Sequence, residues 1–293
     1  MSADITTTFQ VSEPPRLWAR MRRFMRRNPT LVLGLVLFAL VLLSALAAPL
    51  APGNGFDMQP IERLRPPGEA HFFGTDQLGR DIFARTLYGG RVSLLVGAGV
   101  VILAIGIGTF LGVLAGYFQR TEAVIMRLAD ALMSIPAVLL AIALITLTSP
   151  GLVTVVLAIS IPETPRVIRL VRSIVISQRQ LTYVDAAVAA GSKPFKIIRR
   201  HILPAAIAPL MVQASYICAS AILLEATLSF LGAGSPPSVP SWGNMVASSR
   251  LYLATAPWTV FAPSVLLAAT VVSVNLIGDG LRDQLDPKLS RRL

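Results

Sequence analysis

Three long runs without a charged residue decide what this chain can fold into. Leu31–Leu50, Val92–Gln119 and Ala131–Pro162 contain no Asp, Glu, Lys or Arg, and two further apolar stretches follow at about 203–231 and 258–281. Lipid offers no partner for backbone N–H and C=O groups, so such runs cross a membrane as helices that satisfy their own backbone. In Leu31–Leu50, 13 of 20 positions are Leu, Val or Phe. At roughly −0.3 to −0.6 kcal/mol each they favour insertion by about 4–8 kcal/mol before Gly, Ser and Pro are subtracted. Composition agrees: 14% of the 293 residues are charged, against about 25% in a soluble domain.

The net charge of +11 raises the question of nucleic acid, and its placement answers it. The basic residues sit in short patches beside the apolar runs, as the positive-inside rule expects. Six arginines, from Arg16 to Arg27, precede the first run. "SALAAP" at its far end resembles a signal-peptidase site, but the apolar run is longer than a signal core.

Ala131–Pro162 is long enough for one tilted span or for two, and carries the breaker "TSPG" at Thr148–Gly151. If it crosses twice, 20 basic residues fall on the side of the N-terminus and six on the other; if it crosses once, the division is nine against seventeen. The positive-inside rule selects two crossings. The sequence therefore predicts an all-α membrane protein with six transmembrane helices, at about 30–51, 92–118, 129–148, 152–172, 203–231 and 258–281, and both termini in the cytoplasm. Gly108, Gly112 and Gly116 recur every four residues. They form one stripe of the second helix, where another helix can approach closely. The segment Ala51–Arg91 holds five acids and five arginines among Pro and Gly, and is expected to pack as a cap outside. Gly232–Pro257, with "SPPSVPSWGN", is expected to be irregular and rigid.

Enzymatic chemistry has little to build on. His71 and His201 lie on opposite sides of the predicted membrane, and Cys218 is the single cysteine; neither a metal set nor a disulfide framework follows. None of the three lysines ends a G-x-x-x-x-G-K-[ST] loop, and H-E-x-x-H and G-x-S-x-G do not occur. Two acids fall in the spans. Glu163 lies about 18 Å from the outer end of the fourth. An ionisable group at that depth is a candidate functional residue, and the competing reading is an ion pair with Arg166 at the cytoplasmic edge. Glu225 either lines a pathway or hydrogen-bonds a neighbouring helix.

Between the fourth and fifth spans lies a cytoplasmic insertion, 177–203. Ser177–Ala190 reads as a helix that Gly191 ends in the left-handed conformation. Ser192 is expected to cap a second helix, with Pro194 in its first turn. In the first helix Leu181, Val184 and Val188 share a stripe expected to face the spans. Tyr183, Ala186, Ala187 and Ala190 form an opposite face almost without bulk, suited to insertion into a partner's cleft. In the second, Phe195, Ile198 and Ile202 form the apolar stripe beside Lys196, Arg199 and Arg200. The competing reading is an interfacial helix whose cations hold lipid headgroups, which explains the arginines but not the alanine face.

"YVDAAVAAGSKPFKIIRRHILP" resembles the EAA loop of ABC importer membrane subunits. Asp185-Ala186-Ala187, Gly191 and Ile202-Leu203-Pro204 stand at the positions of that motif, with Asp in place of Glu and the I-x-L-P end shortened. "FGTDQLGRDIFARTLYGGRVSLLVG", "ILLEATLSFLGAG", "PSWGNM" and "NLIGDGLRDQLDP" are similar to the dipeptide/oligopeptide/nickel permease family, and to its C-type subunit in particular. The resemblance covers nearly the whole chain from about residue 20. It implies a type I ABC importer fold with coupling helices between helices 4 and 5, and three regions: a cytoplasmic Arg-rich tail at 1–29, a permease domain at 30–282 and a cytoplasmic tail at 283–293. It also implies partners: a homologous permease forming a heterodimer, two cytoplasmic ATPase subunits, an extracytoplasmic solute-binding protein and membrane lipid, but no nucleic acid. The location would be the inner membrane of a bacterium. The chain itself would bind no cofactor and perform no catalysis, with ATP and Mg held by the ATPase partners. Tyr183, Asp185, Ala186, Ala187, Ala190, Gly191, Ile202, Leu203 and Pro204 would form the ATPase-coupling loop, and Glu163 and Glu225 are candidates for the pathway or gate. The cargo would be a peptide, a nickel complex, glutathione or another small solute. The alternative is a stand-alone secondary transporter or channel, which calls for charged groups at mid-membrane and often an inverted repeat.

Overall fold

The computed structural model describes residues 25, 28–51, 55–148, 151–236 and 238–285. Most of both expected tails, Ser149 and Pro150 of the breaker, and Pro237 lie outside the described residues. The long helices are α1 (Pro29–Leu46), α2 (Ile82–Tyr117), α3 (Gln119–Met133), α4 (Ala137–Thr146) and α5 (Leu152–Arg179). They are followed by α6 (Thr182–Ala189), α7 (Pro194–Ile197), α8 (Leu203–Phe230), α9 (Trp242–Ser249) and α10 (Trp258–Leu285).

The glycine stripe sets the central seam. A Cβ on Gly108, Gly112 or Gly116 would lie 2.5, 2.7 or 2.6 Å from the Cβ of Val167, Val171 or Val175 respectively. Three hydrogen atoms in place of three methyl groups let α2 and α5 touch backbone to side chain along Gly108–Gly116 and Val167–Val175. Both residue numbers rise together, so the two helices run parallel. A Cβ on Gly99 would meet Val156 at 3.1 Å, which continues the parallel contact toward the other end. Chain direction must therefore reverse between Tyr117 and Leu152.

The reversal is not the straight helix expected at 129–148. α3 and α4 are bent by 92° at Ser134–Pro136. Pro136 has no N–H to continue the ladder and forces its predecessor out of the helical region. α3 is amphipathic instead of apolar. Its Glu122 accepts from the Arg172 Nε–H at 3.0 Å and its Asp130 from Arg169 at 2.5 Å, so its charged side is tied to α5. Among the described residues four helical segments are long and apolar enough to cross a membrane: α1, α2, the continuous run Pro194–Phe230 and α10; the bent pair α3–α4 would be a fifth. α5, expected to cross at 152–172, is not apolar enough by composition because it carries Glu163, Arg166, Arg169 and Arg172.

α1 and α10 are antiparallel. A Cβ on Gly34 would meet the Ile277 nitrogen at 2.9 Å, and one on Gly280 would meet the Leu31 Cβ at 2.6 Å. The start of α1 thus lies beside the end of α10. α2 begins ten residues before its expected span, because Asp81 caps it by accepting from the Ala84 N–H at 2.8 Å.

The far end is closed by the cap, 55–81, and by 232–257. In the cap, Asp76 accepts from the Leu78 and Arg80 N–H groups and from Arg80 Nε–H at 2.7 Å. His71 lies between Asp81 and Glu62, at 2.8 and 3.0 Å. The 232–257 segment is less irregular than its prolines suggest. It contains α9, whose Trp242 is fully buried against Gly89 and Gly90 and donates its indole N–H to the Thr86 carbonyl at 2.9 Å.

Candidate functional site

The insertion at 177–203 projects from the end of the α2–α5 seam. α5 continues to Arg179, so the first loop helix starts at Thr182 and not at Ser177. It ends as expected. Gly191 has φ +76°, its N–H donates to the Val188 carbonyl at 2.9 Å, and the Ser192 N–H donates to Ala187 at 3.1 Å. This pair of bonds is a Schellman motif, which satisfies carbonyls that the helix leaves open. Ser192 does not cap the second helix. Lys193 occupies that position without a side-chain bond, and Pro194 takes the first turn.

Burial follows a different stripe from the one expected. Val184 is buried and Ala187 half-buried against the core, while Leu181 and Val188 are 40% and 55% exposed. An eight-residue helix touches the bundle over one turn only, so residues three apart, Val184 and Ala187, define its inner side. Tyr183, Asp185, Ala186 and Ala190 remain exposed. The Tyr183 hydroxyl donates to Gln178 at 2.6 Å, and its ring lies 5.8 Å from that of His201. The expected second stripe is also shifted: Ile197 and Ile202 are buried, and Phe195 is 73% exposed. Ile198–Ile202 forms a π turn. Its wider winding aligns residues five apart, which puts Ile197 and Ile202 on one face. Leu203 and Pro204 then open α8.

The loop presents a small-residue face, a positive rim of Lys193, Lys196, Arg199 and Arg200, and one acid, Asp185, all exposed. A nearly flat surface of this kind admits another protein's cleft and offers it charge to orient by.

The two acids expected in the spans, both buried, are far apart in role. Glu163, buried on α5, is 3.1 Å from Arg166 Nη1 and accepts from Ser220 of α8 at 2.9 Å. Arg166 also stacks on Tyr216, 5.6 Å from the ring centre. The ion pair weighed against a pathway role is present, and Glu163 ties α5 to α8. Glu225, fully buried on α8, accepts through Oε1 from Ser229 at 2.9 Å, Ser241 at 2.8 Å and Ser235 at 3.3 Å. Its Oε2 lies where a Cβ on Gly243 would be 3.1 Å away. Glu225 thus fastens the outer segment to α8. No run of the sequence singled out these serines, because two of them lie 10 and 16 residues beyond it in a segment without periodicity.

Comparison with known proteins follows the same lines. Residues 104–291 match the family described as binding-protein-dependent transport system inner membrane component. Residues 16–67 match the N-terminal TM domain of oligopeptide transport permease C. A probable peptide ABC transporter permease protein of Sinorhizobium fredii is 52% identical over 98% of this chain and 99% of its own length. A dipeptide transport system permease protein of Alkalihalophilus pseudofirmus is 42% identical over 93% of this chain and 90% of its own. A glutathione transport system permease protein of Pectobacterium atrosepticum is 40% identical over 92% and 90%. Two crystal forms of the MetNI methionine ABC transporter in inward-facing conformations share the fold. Their TM-scores are 0.53 and 0.50 at 18% and 20% identity, covering 70% and 69% of this chain and 96% and 94% of theirs.

Proposed function

This chain belongs to the family of binding-protein-dependent transport system inner membrane components, as a membrane permease subunit of an ABC importer with the type I fold, and we propose that it forms half of the pathway for a peptide or a related small solute. The relatives named for peptide, dipeptide and glutathione transport support that substrate class. The other half would be a homologous permease. A solute-binding protein would deliver cargo on the far side, and two ATPase subunits would bind ATP and Mg on the near side in a bacterial inner membrane. This chain would hydrolyse nothing itself.

We further propose six crossings, with α3–α4 as the third and α5 as the fourth and with both termini cytoplasmic. The parallel run of α2 and α5 and the antiparallel run of α1 and α10 support this path. The regions 1–29, 30–282 and 283–293 keep their assignments on it.

One observation carries the coupling role. α6 leaves Tyr183, Asp185, Ala186 and Ala190 exposed, while Val184 is buried in the core that includes Val171 and Val175 of α5. A push on α6 would reach α5 directly, and Ile202, Leu203 and Pro204 would carry it into α8. Asp185 would make its ATPase contact one methylene shorter than the usual Glu. Glu163, which joins α5 to α8, would sit where that movement opens or shuts the pathway. Glu225 would hold the outer segment that meets the binding protein. Ala186→Trp places a ring on the exposed face without touching the core. Co-purification of the ATPase subunits and uptake are both expected to fall; retention of both would remove the coupling role.

A further inference from the structure

The second loop segment has a feature that the small-residue face of α6 does not explain. Phe195 is 73% exposed and, with Lys193 and Pro194, forms one wall of a groove of about 880 Å³. The other wall is the cytoplasmic half of α2 from Ile105, with Phe118 just beyond its end, and α8 closes it with Leu203 and Leu210. Thr109 and Lys193 are the polar residues in a lining that is otherwise aliphatic or aromatic. At 1.5 Å per residue, Ile105 to Phe118 spans about 20 Å, slightly more than the ~15 Å depth of one leaflet.

Phe118 is shared with a second pocket, of about 590 Å³, lined by Tyr117, Gln119, Arg120, Thr121 and Arg179. Arg179 is held in place: it donates to the Tyr117 carbonyl at 2.9 Å and stacks 4.9 Å from the Tyr117 ring centre. The acids of neighbouring α3 are engaged elsewhere, Glu122 with Arg172 and Asp130 with Arg169. The apolar groove thus meets, at Phe118, a pocket lined by the cations Arg120 and Arg179, and carries a third cation, Lys193, in its own lining.

We propose that this composite groove binds an anionic phospholipid of the cytoplasmic leaflet. An acyl chain lies along α2 from Phe118 toward Ile105, and the phosphate rests at the Phe118 end among Arg120, Arg179 and Lys193. Charge complementarity selects the headgroup, and the leaflet-length apolar wall selects a lipid over a soluble anion. The lipid bridges α2, the α3 start and the loop segment that follows α6, so leaflet composition bears on how firmly the coupling loop is seated. The leaflet assignment rests on the topology proposed above.

Gly106 provides a clean test, because a Cβ there would meet no atom within 4 Å and the residue lines the groove. Leucine at this position fills the acyl-chain path without disturbing the α2–α5 seam. The full chain is purified with the subunits it assembles with, stripped of lipid, and titrated with phosphatidylglycerol or phosphatidylcholine while bound lipid is counted by native mass spectrometry. Phosphatidylglycerol is expected to bind at least about ten-fold more tightly, given about five-fold per basic residue at a membrane surface. Arg120→Gln and Lys193→Gln should each cost about five-fold, and the pair about thirty-fold. Gly106→Leu should remove the site while the ATPase subunits still co-purify. Equal affinity for the two lipids, or no change in any variant, overturns the proposal, as does a cross-link from Gly106→Cys to another protein subunit. Loss of ATPase co-purification from the wild type with lipid selectivity intact would count against the coupling role alone.

Discussion

Gly112→Ala sets two effects of opposite sign against each other. By intrinsic propensity the change should stabilise α2, since glycine in a helix interior costs about 1 kcal/mol relative to alanine. Packing opposes it. The new Cβ would lie 2.7 Å from the Val171 Cβ and 2.9 Å from the Ile168 carbonyl oxygen, where ordinary contacts are about 3.5–4.0 Å. A backbone carbonyl cannot turn aside, so α2 and α5 must part by about 1 Å. Overpacking of this kind costs about 1–3 kcal/mol. The same displacement loosens the Gly108–Val167 and Gly116–Val175 contacts on either side, which places the cost in the upper part of that range. The expected net effect is a loss of about 1–2 kcal/mol, or a fall of a few degrees in the unfolding midpoint. Gly106→Ala on the same helix is the control. No atom lies within 4 Å of its Cβ position, so propensity acts alone and the midpoint should hold or rise. Cys218, the single cysteine, supplies the assay, because a thiol-reactive dye reports its exposure as the purified protein is heated. If Gly112→Ala were no less stable than Gly106→Ala, the account of the seam would be wrong.

Glu225→Ala should release the outer segment by removing the shared acceptor of Ser229, Ser235 and Ser241; at about 1 kcal/mol per bond the loss is about 3 kcal/mol. It is read as a lower midpoint and as new proteolytic cleavage within 232–257, with Glu225→Gln, which keeps Oε1, far less affected. Glu163→Gln should lower uptake and substrate-stimulated ATPase activity in the assembled complex while leaving assembly intact, and unchanged values of both would remove Glu163 from the pathway. His71 lies in the cap outside the spans, and its hydrogen bond to Asp81, with help from Glu62 and against partial burial, raises its pKa above the ordinary 6.5. A raised folded-state value means the protonated form is the stabilising one. Its contribution is fully present below about pH 6.5 and fades as pH rises through the folded value. His71→Gln should therefore lower the unfolding midpoint more at pH 5.5 than at pH 8.5, and an equal drop at both would contradict this.

Features written in local spacing were legible before any coordinates. Gly108, Gly112 and Gly116 repeat every four residues, a stripe that invites close approach of another helix, and α5 makes that approach. Gly191 between two helical segments announced its own left-handed turn. Two crossings between Ala131 and Pro162 remain a proposal that rests on where the arginines fall; the parallel run of α2 and α5 shows that the chain reverses between Tyr117 and Leu152. Counting charge-free residues from Ala131 hid the bend at Pro136, because α3 begins at Gln119 with four charged side chains that α5 partly pairs. The alternation of those charges with apolar residues in 119–133, followed by proline, was the signal available. The face of α6 was misjudged at Leu181 and Val188 because a helical wheel takes no account of how few turns reach the bundle. The π turn at Ile198–Ile202 shifted the second stripe for a reason that no local pattern encodes. Glu225's serines are a matter of tertiary contact and carry no periodicity at all.

The central claim is that the small-residue face of α6 is where an ATPase subunit docks. Its most direct measurement is site-directed cross-linking in membranes, with Ala186→Cys placed in a Cys218→Ser background and the full complex assembled. The account predicts a cross-link from position 186 to an ATPase subunit whose yield changes when ATP is added, and none from Cys at Leu139 on α4, whose side chain is also exposed. Cross-linking of position 186 to lipid or detergent alone, with the ATPase subunits present and active, would contradict it.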